Sequence, residues 1–117
     1  MTNHKINVAI AETCGWTEFH TEDFTEMGVP CFVQMALPPG FIHIENSMPL
    51  PDYCTDLNAM HEAEETLLKM DGCQAHWETY SNILTMKVGC MDVFHTPARQ
   101  RAEAYLRTVG KWEEVQP

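Results

Sequence analysis

No stretch of this 117-residue chain approaches the run of about 18 apolar residues that a membrane-spanning helix needs. The opening Met1-Thr2-Asn3-His4-Lys5 leads into a short apolar segment broken by Glu12, which is not a secretory leader, so a cytoplasmic protein is expected. No two cysteines form a C-x-x-C pair. The five present, Cys14, Cys31, Cys54, Cys73 and Cys90, are odd in number and widely scattered. That is a poor disulfide framework and suits small buried apolar residues better. The six glycines are too dispersed for a phosphate-cradling loop, and no G-x-S-x-G nucleophile turn occurs. His61-Glu62 begins like the zinc-protease motif H-E-x-x-H, but the position due a second histidine holds Glu65. His61 and Glu65 are then a surface pair one helical turn apart. Cys73 with His76, and Cys90 with His95, have ligand-like spacing that leaves a small metal-dependent hydrolase as a third reading. Structural zinc sites use tighter cysteine spacing, so no metal or other cofactor is expected.

Positive charge is scarce too. Seven Lys and Arg stand against 17 Asp and Glu, a net charge of −10 whose field repels nucleic acid, so no direct nucleic-acid partner is expected. Residues 1–50 and 51–75 each hold six acids and one base. The last 22 residues hold three acids and four bases: Arg99, Arg101, Arg107 and Lys111. All three arginines lie there, and arginine is the side chain best shaped for bidentate anion recognition.

What is present is enough apolar residue, 44%, for one core, and residues 1–117 are expected to form a single domain. Asn3 to Cys14 reads as a helix capped by Asn3 and ended by Gly15, with Ile6, Ala9, Ile10 and Cys14 on one face. Residues 17–52 are rich in proline and aromatics. There Cys31–Leu37 and Phe41–Ile44 read as short strands turning at Pro38-Pro39-Gly40. A helix from Asp52 or Thr55 to Met70 buries Leu57, Met60, Ala63 and Leu67 and turns an acidic face outward through Glu62, Glu64 and Glu65. Residues 73–84 are ambiguous, followed by strands over Ile83–Val88 and Met91–His95. In the last helix Thr96 caps, Pro97 takes the first position, Ala102, Tyr105, Leu106 and Val109 form the core face, and Gly110 closes. The order predicts an α+β fold: a small antiparallel sheet packed with about three helices in one layered domain.

Within that last helix, at about 100° per residue, Arg99 lies roughly 70° from the core direction and Arg101 roughly 90° on the other side. From these flanks a guanidinium can face a cleft or a partner while its stem lies on the core edge. Arg107 points further out and pairs with Glu103. Basic residues in a first turn oppose the helix dipole, which hints at a role outside the helix.

Three blocks carry a resemblance. The first is Ile10-Ala11-Glu12-Thr13-Cys14-Gly15-Trp16. The second runs from Pro51-Asp52-Tyr53-Cys54 through Glu64, and the third from Thr96-Pro97-Ala98-Arg99-Gln100-Arg101 through Glu113. Together, about a third of the chain, they resemble small phage and prophage proteins of the phage ABA-sandwich type. The resemblance implies a phage protein acting in a host bacterial cell. By analogy with similarly organised anti-defence sponges, it implies an oligomer that holds a nucleotide messenger with arginines and an aromatic. The expectation is therefore a non-enzymatic protein that sequesters a small anionic nucleotide, a cyclic ADP-ribose isomer or cyclic oligonucleotide. Its ligand-binding residues would be Arg99, Arg101, Arg107, Phe94 and Tyr80. The alternative is an acidic inhibitor of a host protein, such as an anti-CRISPR protein, using the acidic face of residues 52–71. Eight methionines and exposed-looking Trp16 and Trp112 point to a homo-oligomer.

Overall fold

The computed structural model describes residues 1–70, 72–88 and 96–113. The first helix, α1 (Asn3–Thr13), starts one residue earlier at its cap than expected: Thr2, not Asn3, accepts the Lys5 backbone N–H through its hydroxyl. Ile6, Ile10 and Ala11 are its buried face. Gly15, with φ of +100°, ends it in the left-handed conformation glycine tolerates, and the chain turns into the sheet.

Strands β1 (Thr17–Glu26) and β2 (Val29–Leu37) form an antiparallel hairpin closed by Met27-Gly28, both with positive φ as a tight two-residue hairpin turn requires. A two-residue strand, β3 (Met48–Pro49), pairs with the far end of β2, giving the order β1-β2-β3. The expected strand at Cys31–Leu37 is present within β2. The expected strand at Phe41–Ile44 is not: that segment is loop leading into a single 3-10 turn, Ile44–Asn46. The partner of β2 is instead β1, which precedes it and whose sequence, Thr-Glu-Phe-His-Thr-Glu-Asp-Phe-Thr-Glu, interleaves strand-favouring Thr and Phe with carboxylates that strands disfavour.

Helix α2 (Leu57–Lys69) is capped by Asp56, whose carboxylate accepts the Asn58 and Ala59 N–H groups at 3.0 and 3.3 Å. Ala59, Met60, Ala63 and Leu67 are buried as the stripe requires, while Leu57 is exposed. Residues Cys73–Val88 form one continuous helix, α3, so the expected strand over Ile83–Val88 is helical. Tyr80 and Leu84, one turn apart, are its buried contacts, and burying both against the other helices outweighs the β-branched and aromatic composition around them. The other expected strand, Met91–His95, lies outside the described residues. Helix α4 (Ala98–Val109) has Pro97 at the cap position rather than the first turn, and Gly110, φ +79°, closes it as expected.

The fold is α+β, with four helices and a three-stranded antiparallel sheet among the described residues. Its core is built from Ile6, Ile10, Met60, Leu67, Tyr80, Leu84, Tyr105 and Leu106 on the four helices. Trp16 and Phe19 pack on that core from the base of the sheet. Trp16 and Trp112 are both half-buried against it, which corrects the expectation that they are exposed apolar surface.

Asp52 ties α1 to the approach of α2. Thr55 Oγ1 donates to one carboxylate oxygen at 2.7 Å and Asn7 Nδ2 to the other at 3.2 Å. These bonds, that from Thr55 foremost, hold the Asp52 carboxyl below its ordinary value of 3.8. The folded state therefore favours the carboxylate. That stability is present above the ordinary value and is lost as pH falls through the depressed one. Asp52→Asn is expected to flatten the fall in the urea midpoint below about pH 4 and to leave its pH dependence near neutrality unchanged.

Candidate functional site

The four expected ligand residues that are described, Arg99, Arg101, Arg107 and Tyr80, do not share one site. Arg101 is 7% exposed and lies between α4 and α2. Its Nη1 donates to both oxygens of Glu64 on α2, at 3.2 and 3.3 Å, and its Nε to the Thr96 carbonyl at 3.0 Å. The flank of α4 that carries Arg101 faces α2, and Glu64, expected on the outer acidic face, turns inward to meet it. Tyr80 is likewise buried beside this pair, and burial first, then the Glu64 charge, pushes its phenol well above the usual range. It is a core residue rather than a ligand contact. Phe94 lies outside the described residues.

Arg99 and Arg107 do come together, on Trp112, two residues beyond the glycine that closes the last helix. Gly110 reverses the chain after α4, with the Lys111 N–H donating to the Leu106 carbonyl at 2.8 Å, and this folds Trp112 back over the helix. The Arg107 and Arg99 guanidinium carbons then lie 5.1 and 5.5 Å from the Trp112 ring centroid, within cation–π range. Arg99 Nε also donates to Asn3 Oδ1 at 3.2 Å, and Arg107 meets Glu103 at 3.2 Å, as its helical spacing requires. A glycine stop followed closely by a large apolar residue is the signal that such a fold-back offers in a sequence.

Beside Trp112 runs an open groove of about 420 Å³ between α1 and the end of α4. It is lined by two lysines, Lys5 and Lys111, and two glutamates, Glu12 and Glu113, together with Met1 and Trp112. The indole N–H of Trp112 is closed off from solvent and has no hydrogen-bond partner.

A second concavity, about 200 Å³, is lined by Cys14, Trp16, Pro39, Tyr53, Glu62, Ala63 and Thr66. Its polar groups form a chain. Thr66 Oγ1 donates to the Ala63 carbonyl at 2.6 Å, so the Tyr105 hydroxyl, 2.7 Å away, donates to Thr66. The Cys14 thiol lies 3.7 Å from the Tyr105 oxygen. Burial pushes the Cys14 thiol and the Tyr53 and Tyr105 phenols all upward. These groups keep their protons at neutral pH, the opposite of what an activated nucleophile needs.

Among the described residues no three His, Cys, Asp or Glu side chains converge as metal ligands. Cys90 and His95 lie outside the described residues. No described helix is long and apolar enough to cross a membrane. Of the acidic face expected on α2, Glu64 is taken by Arg101, and Glu62 and Glu65 remain outward. The chain matches no family model, no curated protein and no solved structure.

Proposed function

We propose that this chain is a non-enzymatic binding protein that captures a small anionic nucleotide in the groove around Trp112. The observation that supports this reading is the gathering of charge there. Lys5 and Lys111 line the groove beside Glu12 and Glu113, and the Arg99 and Arg107 guanidinium groups both lie within cation–π range of the Trp112 ring. These are four of the seven Lys and Arg in a chain of net charge −10. Cations beside an aromatic ring match the two halves of a nucleotide, phosphate and base. The groove volume falls within the roughly 300–1,000 Å³ of small-molecule sites. A binder needs affinity and no proton transfer, which agrees with the raised thiol and phenols of the other concavity.

The reading extends to the setting the resemblance implies. There, a phage-encoded anti-defence protein acts in the host cytoplasm, as a homo-oligomer, by taking a cyclic ADP-ribose isomer or cyclic oligonucleotide out of circulation. Calorimetric titration of the purified chain with a panel of cyclic ADP-ribose isomers and cyclic oligonucleotides tests it. Saturable heat with one member and none with adenosine is the expected result, and absence of heat with every member overturns the proposal.

A further inference from the structure

The β1–β2 hairpin is the part of the molecule that its own core does not explain. Residues 21–30 are all exposed, and Met27 at the tip is 98% exposed. The molecule is correspondingly long, 49 Å against 31 and 29 Å. Its radius of gyration of 15.7 Å exceeds the ~13 Å usual for a compact domain of this length.

The register sorts the side chains of this arm. Glu22 pairs with Val33, Phe24 with Cys31 and Glu26 with Val29, so all six lie on one face. Phe24 is 46% exposed and Val29 59%. Along β1 that face runs carboxylate, phenyl, carboxylate, with about 7 Å between successive side chains. Glu22 holds the His20 imidazole at 3.0 Å, while Glu18, Asp23 and Glu26 have no charged partner among the described residues. Between residues 6 and 68 the chain contains no Lys or Arg at all. Among the described residues β1 is also an edge strand, paired on one side only.

We propose that this hairpin is a docking arm for a basic protein, whose apolar slot takes Phe24 with Val29 and Val33 and whose rim supplies lysines or arginines to Glu22 and Glu26. An aromatic anchor inside a charged rim is the usual anatomy of a protein interface. Charge decides the occupant. A second copy set against this face would bring Glu22 and Glu26 of each arm together, with no Lys or Arg on either hairpin. Acidic edge strands are a device against such self-pairing. A basic partner converts the same charges into attraction and into salt-sensitive association. The inference is independent of the nucleotide reading and uses no residue of the Trp112 groove.

The test titrates the full chain with a labelled synthetic peptide of alternating leucine and lysine, followed by fluorescence anisotropy, with polylysine as the charge-only control. The leucine–lysine peptide is expected to bind more tightly than polylysine and to weaken as salt rises. Phe24→Ser, and separately Glu22→Gln with Glu26→Gln, are expected to weaken it at least about tenfold. Glu65→Gln on α2 is expected to leave it unchanged. The paired glutamine variant keeps side-chain shape on an exposed strand, so it stays informative if Phe24→Ser impairs folding. Wild-type affinity in both arm variants, or equal binding of polylysine, overturns the proposal. A dimer in sedimentation that Phe24→Ser dissolves also overturns it, by assigning the face to a second copy.

Discussion

Replacing Arg101 by alanine is expected to destabilise the protein by about 3–5 kcal/mol, read as a shift in the urea unfolding midpoint. The magnitude follows from what the change leaves behind. Glu64, itself nearly buried, would keep a carboxylate whose remaining ion-pair neighbour among the described residues is the exposed imidazole of His61 at 3.4 Å. The Thr96 carbonyl would lose the Arg101 Nε donor. An uncompensated buried charge costs far more than the net value of the pair that was broken. Converting both partners to apolar residues, Arg101→Met with Glu64→Leu, is therefore expected to recover most of the loss. It should not recover all of it, since the hydrogen bond from the charged Arg101 Nε to the Thr96 carbonyl is lost as well, and such bonds contribute roughly 1.5–3 kcal/mol. A cost below about 1 kcal/mol for Arg101→Ala would show the pair to be a surface contact in energetic terms.

The second large effect concerns the groove. If a nucleotide binds beside Trp112, Arg99→Ala and Arg107→Ala should each remove a charge-assisted contact worth about 1.5–3 kcal/mol, a loss of roughly 10- to 100-fold in affinity. Trp112→Ala should remove the ring that gathers both guanidinium groups and bring binding below detection. Arg101 makes the contrast. A variant stabilised by the paired apolar change at 101 and 64 should bind as the parent does, because that guanidinium is held between helices. Equal losses at all three arginines would point to loss of folded protein rather than of a site, and parallel thermal melts separate the two.

Helical angle carried the reading of α4 part of the way. It assigned Ala102, Tyr105, Leu106 and Val109 to the core; the first three are buried and Val109 is half-buried against them. It placed Arg99 and Arg101 symmetrically on the two flanks and had no means of telling them apart. The flanks differ only in what packs beside them, Asn3 and Trp112 on one side and Glu64 on the other. Neither Arg101 nor Glu64 is a core residue by its own chemistry, and they are buried because they meet.

The missed strand has a related cause. β1 carries four carboxylates and buries almost nothing, so no alternation of apolar residues marks it. It is held by its hydrogen bonds to β2 and by the positive-φ turn at Met27-Gly28. Residues 83–88 fail in the other direction, since their β-branched character (Ile83, Thr85, Val88) is local while the helix is set by Tyr80 and Leu84 reaching the core.

The sequence by itself determined the α+β class, the span of α1, α2 and α4, the glycine stops at Gly15 and Gly110, and the concentration of arginine in the last helix. These depend on periodicity, capping chemistry and composition, which act within a few residues of chain. Only the tertiary structure decided that one arginine is held inside an ion pair while two others reach Trp112, and that an acidic hairpin stands clear of the core. Burial and pairing of charge depend on which distant segments come together, and local preference does not contain that information.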